Sequence, residues 1–161
     1  MKKGYLLFVF YLILGVLSAQ PTIQWQKTYG GSSWDKIFSI KQTLDGGYIT
    51  VGSTVSSDGN CFGNHGGADF AVLKLSATGA LQWRKVLGGT NNEEARNVLI
   101  TSDGGYLISG YSGSNNGDVS GNHGGNYDGW VVKLNSAGII QWQKTYGGTD
   151  RDDFFAALQT S

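Results

Sequence analysis

The chain has 161 residues, with 12 lysines and arginines against 12 aspartates and glutamates, so its formal net charge is zero. This balance excludes an electrostatic grip on nucleic acid or on an anionic membrane as the basis of function. The 26 glycines among 40% hydrophobic residues favour many short strands joined by tight turns, and they argue against a disordered chain. The single cysteine, Cys61, allows no internal disulfide, so the core alone holds the fold unless Cys61 pairs between chains.

Residues 1–19 are the first predicted element, a secretory signal peptide. Two lysines at 2–3 precede an apolar run at 4–17, and the small residues Ser and Ala follow at 18–19. The run is short for a membrane span, so cleavage after Ala19 is favoured over the alternative, a retained anchor. We therefore expect a secreted or cell-surface protein with no membrane association once the signal is cleaved.

An internal repeat is the strongest signal in the chain. The motif QWQKTYGG occurs at 24–31 and 141–148, with QWRKVLGG at 82–89 between them. DGGY and GNHGG each occur twice as well, and each GNHGG copy carries one of the two histidines. The spacing defines repeat units at 32–89 and 90–148 and an incomplete third unit from 149.

Each unit predicts four antiparallel strands, which in the first unit span 37–43, 48–53, 69–75 and 80–87. Asp-Gly-Gly at 45–47 predicts a hairpin turn, and Gly79 predicts the left-handed end of a type I turn. A Gly-rich loop separates the second and third strands. We expect no helix between 22 and 161. Four antiparallel strands in a repeat of this length are typical of an all-β fold, the β-propeller blade.

The ends of the exported chain predict partial blades. Residues 23–29 copy a fourth strand without its own blade, and residues 154–160 begin a third blade without completing it. Residues 20–161 are therefore expected to form a partial β-propeller, with two complete four-stranded blades. Propellers contain about four to eight blades. The chain is accordingly predicted to be a fragment of a larger propeller, or, if complete, to self-assemble.

The combination of DGGY, GNHGG, VVKL and QWQKTYGG resembles the Gly-rich β-propeller repeats of large bacterial secreted and surface proteins. Proteins with such repeats often carry a sorting domain for type IX secretion. The resemblance covers about 23–161. It implies export and residence at the cell surface or outside the cell, and it supplies no catalytic residues.

The repeated loops contain the candidate metal ligands. Zinc requires three or four ligands, so His65 and His123 are expected to be structural and to bind no metal. Calcium binds carboxylate and amide oxygens, but the same residues are favoured in turns, and the spacing of a calcium loop is missing. Turn chemistry is therefore favoured, with calcium as the alternative and no other cofactor. The calcium candidates are Asp58, Asn60, Asp69, Asn116, Asp118 and Asp128.

The tryptophans at 25, 83 and 142 recur in register. Large aromatic side chains usually pack in cores, so we expect them between blades, with stacking on sugar rings as the alternative. Trp130 is likewise expected in the core.

No nucleophile elbow, P-loop or HExxH motif occurs in the chain. The sequence therefore predicts a non-enzymatic binding, adhesion or structural module whose partner is a surface glycan or protein. The alternative is a propeller-type glycan hydrolase whose active site lies in missing blades.

Overall fold

The computed structural model describes residues 21–160, and the predicted signal peptide lies outside this range. The described part contains eight strands and one turn of 3₁₀ helix at Gly59–Cys61. No helix within it is long and apolar enough to cross a membrane. The strands are β1 (Asp35–Gln42), β2 (Tyr48–Thr54), β3 (Asp69–Leu75), β4 (Leu81–Leu87), β5 (Glu93–Ile100), β6 (Tyr106–Ser112), β7 (Asp128–Leu134) and β8 (Ile140–Tyr146).

The strands form two separate four-stranded sheets. Sheet 1 has the order β1-β2-β3-β4 and sheet 2 the order β5-β6-β7-β8, and all neighbouring pairs are antiparallel. The prediction of an all-β chain with two similar sheets is confirmed. The expectation of no helix is wrong, because the described part contains the single 3₁₀ turn at Gly59–Cys61. Over residues 21–160 the two sheets do not close into a ring.

The main core lies between the two sheets, and a smaller cluster on the other face of sheet 1 contains Cys61, Ala71, Leu73 and Leu75. β3 is buried along its whole length and β7 at all but one position, as expected for central strands covered on both faces. β5 packs against β1, β2 and β3, and the rings of Phe70 and Trp130 meet at 4.5 Å between centroids. Trp130 is fully buried, which confirms its predicted place in the core.

The two Asp-Gly-Gly turns are built in the same way. In the first, Asp45 Oδ1 accepts hydrogen bonds from Gly47 N at 3.0 Å and from Thr43 Oγ1 at 2.5 Å, while Gly46 takes a φ of +77°. The turn chemistry expected of this aspartate is thus confirmed.

A buried lysine on the third strand of each sheet fastens the turn. Lys74 Nζ lies 2.8 Å from Asp45 Oδ2 and also donates to the backbone oxygen of Leu75 and to Gln82 Oε1. Bonding to Lys74 holds the pKa of the Asp45 carboxyl well below its usual range. Lys133 repeats the arrangement with Asp103 at 2.9 Å.

The terminal segments are not strands, so the predicted strands at 23–29 and 154–160 are wrong. A strand is defined by its ladder of hydrogen bonds, and neither segment has a partner strand that completes one. They nevertheless contact the two sheets. Trp25 packs against Tyr48 with ring centroids 5.6 Å apart, and Phe154 N donates to the backbone oxygen of Gly110 at 3.3 Å.

Cys61 is a free thiol in the core and is 2% exposed. Burial, followed by the nearby Asp35 carboxylate, raises its pKa to about 11. A disulfide between chains would require local unfolding, so of the two alternatives the structure favours a fold held by its core.

Candidate functional site

The long loops of both sheets lie at one end of the molecule. β2 and β4 of sheet 1 and β6 and β8 of sheet 2 end there, and the loops at 55–68 and 113–127 meet the segments that connect successive sheets. For example, Gly67 N donates to the backbone oxygen of Thr90 at 3.3 Å, and Asp118 N donates to that of Gly88 at 2.9 Å. We call this end the loop face. Loops carried on a rigid scaffold are the usual place for binding residues.

An asparagine shapes each GNHGG loop. Asn64 Nδ2 donates to the backbone oxygens of Thr54 at 3.2 Å and Gly67 at 2.6 Å, and its Oδ1 accepts from Gly66 N. Asn122 makes the corresponding bonds in sheet 2, to Ser112 O at 3.1 Å and from Gly124 N at 2.9 Å. The loop is thus copied together with its internal hydrogen bonds.

The histidine of each loop is paired with the first carboxylate of the following strand. His65 Nδ1 lies 2.8 Å from Asp69 Oδ2, which also accepts from His65 N at 2.6 Å. The distances for His123 and Asp128 are both 2.7 Å. The imidazoles are 40% and 50% exposed, whereas both carboxylates are buried. The structure thus places each histidine in a hydrogen bond of the loop, as its predicted structural role requires.

A second carboxylate approaches Asp69 from the neighbouring sheet. Asp69 Oδ1 and Glu93 Oε2 each lie 2.4 Å from the position that a Cβ on Gly88 would occupy. Both side chains are fully buried, and Asp69 Oδ1 has no hydrogen-bond partner within the described residues. Desolvation, with a smaller contribution from the Glu93 charge, raises the pKa of Asp69 to about 6. The same approach recurs at Gly147, between Asp128 and Asp152.

One junction carboxylate at the start of each sheet, and one in the C-terminal segment, binds the Gly-Gly pair that precedes it. Glu93 Oε2 accepts a hydrogen bond from Gly89 N at 2.8 Å, and Ser112 Oγ donates to Glu93 Oε1 at 2.7 Å. Asp35 and Asp152 repeat the first of these bonds, from Gly31 N at 2.8 Å and Gly148 N at 2.9 Å.

The six calcium candidates lie in two different environments. Four candidates form hydrogen bonds with the connecting segments through side-chain or backbone groups: Asp58, Asn60, Asn116 and Asp118. Asp58 Oδ1, for instance, accepts from Ser32 N at 2.7 Å. Asp69 and Asp128 are buried at the histidine pairs. Among residues 21–160 no three His, Cys, Asp or Glu side chains are grouped as metal ligands. Turn chemistry stays the prediction for these residues, with calcium binding as the alternative.

The loop face also carries a groove that sequence reasoning missed. In sheet 1 it runs between the loop and β4, and we call it the β4 groove. Phe62 is 55% exposed, and the guanidinium carbon of Arg84 lies 3.2 Å from its ring centroid. The principal residues lining the groove are Phe62, His65, Trp83, Arg84 and Lys85.

The corresponding place in sheet 2 has different chemistry. Ser120 and Gln143 occupy the positions of Phe62 and Arg84, and Gln143 Nε2 donates to Ser120 Oγ at 2.5 Å. A comparison of the two copies, position by position, is the signal that would have singled out this groove.

Two of the three repeated tryptophans pack between units, as predicted. Trp25 lies against Gly79 of sheet 1, and Trp83 lies in the same way against Gly138 of sheet 2. Trp83 also contacts Tyr106 with 5.9 Å between ring centroids. Trp142 differs because it is 44% exposed.

The junction carboxylates Asp35, Glu93 and Asp152 were also missed by sequence reasoning. Each lies four residues after the second glycine of a Gly-Gly pair, so the regular spacing could have revealed them. A scan of protein-family models finds no match to the chain, and no curated protein matches it with significant similarity.

Proposed function

We propose that the chain is a repeat module of an exported protein, built as β-propeller-type blades and serving in binding or adhesion at the cell surface without catalysing a reaction. One observation carries this proposal. The two sheets share one set of scaffold hydrogen bonds but present different exposed side chains at the β4 groove. A fixed scaffold with variable surface residues suits a module that presents contacts to a partner.

The packing between units supports the propeller-type arrangement. Trp25 and Trp83 make equivalent contacts with successive sheets, and the junction carboxylate bond occurs three times. Ile37 and Ile40 of β1 are about half exposed, whereas their equivalents Ala95 and Val98 are buried against sheet 1. A further blade would cover these isoleucines, and ring closure would cover the open faces of the terminal sheets.

Export is proposed from the signal peptide at 1–19 and from the resemblance to bacterial surface repeats. The chemistry of the single thiol is compatible with an oxidising compartment. Reactivity requires the thiolate, and both burial and the raised pKa suppress that form of Cys61.

The absence of catalysis is proposed from the burial of the carboxylate pair. General acid–base chemistry requires a titratable group within reach of a substrate. The raised pKa of Asp69 would suit such a role, but Asp69 and Glu93 are fully buried and cannot touch a substrate in this structure. A structural role at the sheet junction accounts for the pair.

Binding and hydrolysis can be tested together on a panel of immobilised neutral and acidic polysaccharides. We expect the exported chain to be retained on a subset of the panel without releasing reducing ends. Release of reducing ends would contradict the proposal and favour the hydrolase. A folded chain that is retained on no member of the panel, and on no intact bacterial surface, would favour a purely structural spacer.

A further inference from the structure

The β4 groove contains a cationic side chain, Arg84, that has no polar partner within the described residues. Within residues 21–160 no hydrogen bond or ion pair engages the guanidinium of Arg84, which only stacks on Phe62. A guanidinium carries five N–H donors in a plane, and stacking covers a face of that plane without occupying the donors. Arg84 is therefore prepared for an oxygen-bearing ligand at the edge of its plane.

The other groups around the groove reinforce a positive potential. Lys85 is exposed beside Arg84, and His65 lies across from them with Nδ1 already engaged by Asp69. The second ring nitrogen of His65 is thus the one left for a ligand. None of the residues that line the groove is acidic. An anionic group would be attracted here by the charges of Arg84 and Lys85.

Sheet 2 shows that the scaffold does not require this cation. There Gln143 takes the place of Arg84 and links the loop to the adjacent strand through Ser120, while its Oε1 accepts from Trp130 Nε1 at 2.8 Å. Thr145 Oγ1 adds a bond to Ser120 O at 3.1 Å. The polar side chains in that copy are satisfied within the protein. The exposed ring and unpaired guanidinium of sheet 1 therefore call for an explanation outside the scaffold.

We propose that the β4 groove binds acidic polysaccharide by holding the carboxylate of a uronic acid unit. This inference rests on the proposed binding function and gives it a ligand class. Arginine binds carboxylates through two parallel hydrogen bonds, which a neutral sugar cannot accept in the same way. Phe62, which is 55% exposed, adds aromatic surface for the apolar face of a sugar ring, a feature that a purely acidic peptide would not need.

The test uses the exported chain and three probes: a hexamer of uronic acid units, a neutral hexamer of the same linkage, and a glutamate hexapeptide. Titration calorimetry measures each affinity for the wild type and for variants of the groove. We expect the uronate hexamer to bind the wild type most tightly and to lose about tenfold or more in affinity with Arg84→Gln. Arg84→Lys should lose most of this affinity, because a lysine cannot form the paired bonds.

The double variant Phe62→Ser with Arg84→Gln copies the chemistry of sheet 2, so it is expected to fold and to lose uronate binding. Lys144→Gln, in the matching place of sheet 2, is the control and should change affinity less than about twofold, because it removes a cation outside the groove.

Equal uronate affinity in wild type and Arg84→Gln would overturn the inference. So would preferential binding of the glutamate peptide or of the neutral hexamer. If the chain binds other surface glycans while the groove variants have no effect, only the groove assignment fails. A chain that binds no glycan or surface refutes the binding function as well.

Discussion

Replacement of Asp69 by asparagine should stabilise the protein at neutral and alkaline pH. Asp69 Oδ2 accepts two bonds from His65, whereas Oδ1 faces Glu93 Oε2 near Gly88 without a donor between them. An asparagine can keep the first contact with its carbonyl oxygen and direct its NH₂ group towards Glu93. The amide can then donate to the Glu93 carboxylate, where the wild type has two acceptors near each other in a fully buried site.

The magnitude follows from the pKa of Asp69, which burial raises to about 6 from an ordinary value of 3.8. A difference of about two pH units corresponds to about 3 kcal/mol between the protonation states. Because the folded pKa is the higher one, this group stabilises the fold fully below about pH 4. That contribution is lost as the pH rises through about 6, where the unfolded chain has already released its proton.

Urea denaturation at intervals from pH 4 to pH 8 measures the effect. We expect Asp69→Asn to flatten the decline in unfolding free energy between pH 4 and pH 6, and to be more stable than the wild type at pH 8 by up to about 3 kcal/mol. Asp128→Asn is the matched control. Its gain should be smaller, because Asp152 is partly exposed whereas Glu93 is buried. Lower stability of Asp69→Asn at pH 8 would refute the reasoning and show that the ionised carboxylate is required.

Three further predictions concern the scaffold. Lys74→Met and Lys133→Met should each lower the unfolding free energy in urea by about 2 kcal/mol, since the lysine bonds to a turn carboxylate and to a backbone oxygen are lost; unchanged midpoints would show that these bonds contribute nothing. Cys61 should resist alkylation at pH 8 until urea unfolds the chain, as followed by mass spectrometry, and rapid labelling of the native protein would contradict its burial. Trp25→Ala should make residues 21–30 sensitive to protease and lower the melting temperature, because this ring holds the segment against Tyr48; equal protection would place the anchor elsewhere.

The repeat pattern was sufficient to predict the strands of the complete units. The predicted strand at 69–75 coincides with β3, because a continuous apolar run between turn signals has few alternative placements. The first strand was predicted at 37–43, whereas β1 spans Asp35–Gln42 and contains a register shift between Ile37 and Ser39. A bulge depends on the partner strand, so local patterning does not show where it falls.

Two kinds of wrong or missing prediction arise because strand pairing is not visible in the local sequence. The terminal segments copy strand sequences, but a strand also needs a partner, which sequence similarity cannot supply. Likewise, Asp45 and Lys74 each stood within recognised motifs, yet their pairing depends on the strand register that brings residues 29 positions apart together. The β4 groove was not predicted because a repeat pattern shows the residues that the two copies share. The chemistry of the groove depends on residues that differ between the copies, such as Phe62 and Arg84.

The junction carboxylates bear on how a gene for such a protein could change in length. The carboxylate bond at each junction requires only a glycine N–H at the end of one unit and a carboxylate four residues later, at the start of the next. Aspartate and glutamate both serve, so this bond does not depend on which particular units it connects. Unequal recombination between the stretches of gene that encode QWQKTYGG would then add or remove whole units while keeping the carboxylate bond at each junction. The number of units could drift over generations, and residues such as Phe62 and Arg84 could diverge independently in each copy.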